Sequence, residues 1–354
     1  MTPKRWCLLT AALLLLASAA VVLLVVVVDP YEIYHRALFY SPPYNSGTQV
    51  YSNAGVARSF TYDSIIVGSS VTENCTPSVY DAALGGRFVK LCMNGGLSRD
   101  HARMMDAAFA SHEIRQVVYG LDLFAYSQYY NNLKAPMPEY LYDDNLLTDV
   151  HYWFNRSVLF SAIPEALSRL GASDEDEARD RMYFWDPPEM PGEQALLALV
   201  DLSSPLPEQP ISQRLTEFAQ GAVEENLLSY VRAHRETTFT VFFPPYSLLY
   251  WANEARNGEF ETRLAQKELL MRALIGEENV RLFDFQTHDV WVRDYSLYYD
   301  LIHYTSPVND AMATAMAQGT CLIDDASQIG AQIDALRQAV YALFDSPPMK
   351  GATP

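Results

Sequence analysis

Tyr62-Asp63-Ser64-Ile65-Ile66-Val67-Gly68-Ser69-Ser70-Val71-Thr72-Glu73-Asn74 is an apolar strand that runs straight into a small, hydroxyl-bearing turn. β-Branched residues suit a buried strand, and a Gly-Ser-Ser turn at its C-terminal end lifts one hydroxyl clear of the sheet. Read by itself, the turn is first of all an ordinary strand-to-helix junction with a Ser N-cap. A distant element, Asp300-Leu301-Ile302-His303, places a carboxylate and an imidazole three residues apart and offers that hydroxyl a base.

Around this stretch, strand and helix signals alternate. Strands are predicted over 62–67, 87–92, 116–121, 238–243 and 280–285. Helices are predicted over 76–84, 99–111, 218–235 and 260–275, from Ser306, and over 329–344. The alternation predicts an α/β fold with three layers, α/β/α, a five-stranded parallel sheet and right-handed crossovers. Residues 124–225 interrupt it with a stretch dense in Tyr, Pro and acidic residues. That is too long for a plain loop and is expected to form a helical cap. Its aromatic residues Tyr126, Tyr129, Tyr130, Tyr140, Tyr142, Tyr152 and Trp153 suit the packing of a cap, or stacking on sugar rings. The acidic run at 174–177 reads as a solvated face.

The N-terminus carries Lys4 and Arg5 before an unbroken apolar run from Trp6 to Val28, long enough at about 1.5 Å per residue to cross a bilayer. With Asp29, Pro30 and Glu32 after it, the positive-inside rule places the N-terminus in the cytoplasm and the rest outside. Ala17-Ser18-Ala19 has the pattern of a signal-peptide cleavage site, but the apolar run continues past it, as an uncleaved anchor requires. The expected organisation is therefore a cytoplasmic N-terminus and transmembrane anchor over 1–29, a tether over 30–60, and an extracytoplasmic domain over 61–350 with the cap inserted at about 124–225.

Composition narrows the partners. With 49% hydrophobic residues the 354-residue chain can build a large core, and 25 Lys and Arg against 43 Asp and Glu disfavour binding to nucleic acid or to an anionic lipid surface through the bulk charge. Outside the membrane Cys75, Cys92 and Cys321 leave an odd thiol, and no Cys-x-x-Cys occurs to suggest a zinc or thioredoxin-type site. Cys75, just past the hydroxyl turn, and Cys92, at the end of the neighbouring strand, are candidates for a disulfide bracing the turn. His35, His101, His112, His151 and His234 are scattered without metal-ligand spacing and read as surface or capping residues. His288 rivals His303 as base but lacks an Asp three residues before it.

Each chemistry-bearing motif follows a strand: Gly68-Ser69-Ser70 the first, Asn94-Gly95-Gly96 the second, Gly120-Leu121-Asp122 the third, and Asp300-x-x-His303 the fifth. This set and its order resemble the SGNH (GDSL-like) hydrolase superfamily, whose fold is flavodoxin-like, over about 62–310 apart from the insertion. The resemblance implies Ser70 as nucleophile, His303 as base and Asp300 as its orienting partner. It also implies an oxyanion hole from the Ser70 and Gly95 N–H groups, with Gly96 as the alternative glycine, and the residue at Asp122. Ser69 stands where the family usually has Asp and is expected to shape the turn. Asp122 replaces the usual Asn; an ionised carboxylate accepts hydrogen bonds, so it must be held protonated or another group such as Asn74 or Asn94 must donate.

The anchor and insertion are similar to the external acyl-transfer proteins of this superfamily, which implies a cell-envelope glycan or acylated polymer as substrate. A multi-span membrane partner would deliver the acyl group, and no cofactor or metal is implied. The expected function is a serine esterase or O-acyltransferase. The competing reading is a catalytically decayed SGNH-fold protein that binds glycan or assists envelope assembly.

Overall fold

The computed structural model describes residues 2–171, 174–185, 187 and 189–346. The chain forms two compact units, Met1–Thr61 with Pro136–Ala178, and Tyr62–Ala135 with Arg179–Pro354.

The first unit begins with helix α1, Pro3–Val28, which is long and apolar enough to cross a membrane. It stops where Asp29 turns left-handed (φ 43°) and donates its N–H to Val25 O at 2.7 Å, after which Pro30 prevents continuation. The Asp29 carboxylate is buried and accepts the Tyr34 N–H at 2.6 Å and the Tyr152 hydroxyl at 3.0 Å. Burial raises its pKa against those bonds. His35 sets Nε2 2.8 Å from Val26 O and Nδ1 2.7 Å from Arg36 O. Two carbonyl acceptors call for two N–H donors, so the ring sits here as an imidazolium at the negative end of α1.

Residues 30–60, expected as a tether, are folded elements of this unit. Helix α2, Gln49–Ser59, buries most of its residues, and Ile33, Tyr40 and Ala54 share a core with Val25, Val28, Tyr152 and Ile163. The expected cap over 124–225 is likewise divided. Residues 136–178 belong to this unit, and the flanking parts belong to the other. Periodicity reports that a segment is half-apolar but does not report which apolar face it will meet.

The second unit is α/β. Its sheet has strands β1 Ser64–Gly68, β2 Phe88–Cys92, β3 Gln116–Gly120, β4 Thr238–Phe243, β5 Val280–Asp284 and β6 Leu322–Ile323, in the spatial order β2-β1-β3-β4-β5-β6. The first five run parallel and β6 pairs antiparallel with β5. The sheet is therefore mixed and six-stranded, where five parallel strands were expected. A two-residue edge strand is too short to carry any periodicity, so nothing in the sequence announces it.

β1 is buried at every position, as its run of Ile and Val requires of a central strand with covered faces. The connecting helices are α3 Pro77–Leu84, α4 Ser98–Ser111, α5 Gln213–Val223, α6 Leu248–Arg256, α7 Phe260–Leu274, α8 Ser306–Gln318 and α9 Ala326–Asp345. α3 packs with α8, α5 with α7, and α9 along α6 and α7. The registers Gly68↔Cys92 and Gly120↔Phe242 bring the carboxyl ends of β1, β2, β3 and β4 level. Strand order reverses direction between β1 and β3, the place where an open α/β sheet leaves a crevice for a ligand.

Candidate active site

β1 delivers its turn at that reversal. Ser69 is extended, and Ser70–Thr72 then form one 3-10 turn, held by the Thr72 N–H and hydroxyl, which donate to Ser69 O at 3.1 and 2.8 Å. Thr72 fills the space between two glycines. A Cβ at Gly68 would lie 2.7 Å from its methyl and one at Gly120 only 2.5 Å. Those glycines are therefore needed for close approach, which lets the hydroxyl turn sit directly against the end of β3.

On this turn Ser70 Oγ lies 2.8 Å from His303 Nε2, and His303 Nδ1 lies 2.6 Å from Asp300 Oδ2. The other Asp300 oxygen accepts the backbone N–H groups of Ile302 and His303, each at 2.8 Å. Burial would raise this carboxyl, but the His303 bond and charge and the two backbone donors hold it below its usual value. An ionised Asp300 that accepts from Nδ1 fixes the tautomer in which Nε2 is the acceptor, which is the tautomer a base for Ser70 needs. The loop is held in place by an isolated Tyr298–Tyr304 bridge, the Tyr299 N–H on His303 O at 2.8 Å, and the Ser247 hydroxyl on Leu301 O at 2.7 Å. Ser70, His303 and Asp300 thus converge from segments 233 residues apart.

Asp122 does not fill the donor role considered for it. It is fully buried, and its two oxygens accept the Ser69 and Tyr246 hydroxyls. Burial pushes its pKa up to about 6, against those two hydroxyls and the His303 charge. Asp122 therefore holds Ser69, and with it the turn, from below. From pH 4 to 6 the folded protein retains a proton that the unfolded chain has released, so this group lowers stability as pH rises through that window. The stability of wild type relative to Asp122→Asn is expected to fall by up to about 3 kcal/mol from pH 4 to pH 7. Urea unfolding in detergent at the two pH values checks this; a pH-independent difference would contradict it.

The loop after β2 has Gly95 left-handed (φ 56°), while Gly96 donates its N–H to Met93 O at 2.7 Å. The Gly96 amide is thus committed to the turn, which favours Gly95 as the oxyanion donor beside Ser70. A Cβ at Gly95 would lie 3.1 Å from Lys134 Nζ, which bonds the Asn94 carbonyl and lies 3.2 Å from Asn94 Oδ1. Asn94 thus anchors this lysine. Lys134 sets a positive charge beside the loop, and nothing in its surrounding sequence suggested that place. Asn74 is buried and spends its Oδ1 on the Trp185 N–H at 2.9 Å.

Trp185 also stands at the site. Its indole meets His303 edge-on, with ring centroids 5.2 Å apart at 82°, and lies 5.5 Å from the Tyr299 ring. A lone Trp in an acidic, Pro-rich stretch carries no signal for such a contact.

The expected disulfide is corrected. Cys75 and Cys92 are separate, buried thiols: Cys75 Sγ meets Tyr80 and Asn309 at 3.4 and 3.3 Å, and Cys92 Sγ meets Thr72 Oγ1 at 3.1 Å. Burial raises both thiol pKa values, so neither is poised as a nucleophile. His288 accepts the Trp291 N–H at the start of a short helix, Asp289–Arg293, and stacks on the Trp291 ring, a structural role. His101, expected at the surface or as a cap, is fully buried under the glycine loop, with Nδ1 2.9 Å from the Tyr119 hydroxyl. Among the described residues, no cluster of His, Cys, Asp and Glu could hold a metal ion. Comparison of the chain with protein-family models, with curated proteins and with solved structures finds no match.

Proposed function

We propose that this chain is a membrane-anchored, extracytoplasmic acyl-ester enzyme of SGNH type, with a three-layer α/β/α catalytic unit, acting on a cell-envelope glycan or acylated polymer. The observation that carries the reading is the relay Ser70 Oγ to His303 Nε2 at 2.8 Å and His303 Nδ1 to Asp300 at 2.6 Å. Ser70 Oγ attacks the ester carbonyl while its proton passes to His303 Nε2, and Asp300 supports the imidazolium. The Ser70 and Gly95 N–H groups receive the oxyanion, and Lys134 adds positive charge beside it. Collapse expels the alcohol, which takes the proton from His303 and leaves acyl-Ser70. Water, or a glycan hydroxyl, then gives its proton to His303 and attacks the acyl carbon, and on collapse His303 Nε2 returns that proton to Ser70 Oγ as the acid or new ester leaves. A transferase of this kind receives its acyl group through a separate multi-span membrane partner, because one helix forms no transport path.

A fluorophosphonate probe tests this directly. It is expected to label the wild-type chain on Ser70 and to leave Ser70→Ala unlabelled. Absence of labelling in both would favour the decayed, glycan-binding reading, for which an Asp122 that accepts and does not donate is the supporting observation.

A further inference from the structure

The first unit carries a second apolar element besides α1. The run Val158–Ser168 consists of a π-helical turn, Val158–Ala162, continuing into the helix Ile163–Ser168, and is too short to cross a bilayer. It divides its apolar residues between two sides. Val158, Ile163 and Ala166 are buried in the same cluster as Val25 and Val28 of α1. Phe160 is 75% exposed, Leu167 42% and, just beyond, Leu170 68%. A side chain as large as Phe160 left in water forfeits about 2 kcal/mol or more of burial, and three such residues on one short segment call for a non-aqueous neighbour.

The position along α1 supplies that neighbour. A hydrocarbon core of about 30 Å takes about 20 helical residues, and counted from Trp6, just after Lys4 and Arg5, that reaches Val25. Over this length the leucines of α1 face outward: Leu8, Leu13 and Leu16 are 62%, 63% and 67% exposed, whereas Val25 and Val28 are covered. Elements packed on Val25 and Val28 therefore lie at the membrane boundary. Tyr34 and Trp153 beside them have the amphipathic character of that level, the Trp153 indole N–H donating to the Tyr34 hydroxyl at 2.8 Å.

We infer that Val158–Ser168 is an interfacial helix, which sinks Phe160, Leu167 and Leu170 into the leaflet that α1 leaves and so ties the first unit flat against the lipid surface. Arg169, half exposed at its end and 3.6 Å from Glu165 one turn before it, stands at headgroup level. The occupant of this apolar face is the bilayer itself, because the face is continuous with the membrane-crossing helix it packs on.

The test uses the full chain with Cys7 and Cys321 replaced by Ser, carrying Phe160→Cys or, separately, Leu167→Cys, each labelled with an NBD fluorophore. The proteins are reconstituted in phosphatidylcholine and phosphatidylglycerol vesicles. Blue-shifted emission at both positions, lost when acyl-chain nitroxide lipids are included and indifferent to iodide, is the expected result. Water-like emission quenched by iodide would overturn the inference. So would blue-shifted emission that neither quencher reaches, which would assign the face to a second copy or another protein. The outcome is independent of any activity of Ser70.

Discussion

His303→Ala is expected to lower ester turnover by about 10⁶-fold, and Ser70→Ala by a similar factor, because each removes a member of a unit that works only when complete. The geometry gives the reason. Ser70 Oγ has His303 Nε2 as its acceptor at 2.8 Å, and without that base the hydroxyl must lose its proton to water at its ordinary, unfavourable pKa. The double variant should be no worse than either single one. Asp300→Asn should cost about 10⁴-fold and act mainly on kcat, since an amide in place of the carboxylate no longer enforces the Nδ1–H tautomer. Hydrolysis of p-nitrophenyl acetate by the detergent-solubilised chain, with circular dichroism to confirm folding, measures all four proteins. Full turnover by folded His303→Ala protein would remove the triad from the chemistry.

Gly55→Ala should destabilise the first unit by about 3 kcal/mol or more, a large effect for one methyl group. The added Cβ would lie 1.8 Å from Tyr31 O and 2.8 Å from the Glu32 carbonyl atoms. These are backbone atoms, and no rotamer change relieves the overlap. α2 would have to move away from the segment that follows α1. That segment holds the Asp29 and Glu32 carboxylates, which are buried and satisfied by nearby donors such as the Tyr34 N–H and the Tyr44 hydroxyl. Separation would open the core that Ala54 of α2 shares with Val25, Val28, Ile33 and Tyr40 and let water reach that segment. Thermal unfolding and limited proteolysis within residues 30–60 report the change. Gly171→Ala, with nothing within 4 Å of its Cβ, is the matched control expected to behave as wild type. An unchanged unfolding midpoint for Gly55→Ala would show that the contact is not rigid.

Much of the second unit was legible because it is governed by local signals. Runs such as Ile65-Ile66-Val67 have few options other than a covered strand, and the hydroxyl turn at its end follows from the small residues that succeed it. The spacing Asp300-x-x-His303 likewise lets the pair meet within one turn of chain. Asp122 shows where local reading stops. Its identity was visible, and so was its inability to donate while ionised, but its partners Ser69 and Tyr246 come from other strand ends. Trp185 and Lys134 were not legible at all, since each owes its place beside the site to a contact across a large separation along the chain. Cys75 and Cys92 failed in the opposite sense: neighbourhood in the topology suggested a bond, while the side chains point to different partners.

By itself the sequence determined an apolar N-terminal helix long enough for a membrane, an α/β domain, and the candidate set Ser70, Asp300 and His303, because hydrophobic periodicity and short-range spacing are local properties. The tertiary structure decided the sixth strand, the union of residues 30–61 with 136–178, and the conversion of Asp122 from a supposed donor into a buried acceptor. Each of these depends on which surfaces meet. Burial free energy rewards any apolar match, and only the packed chain selects among them.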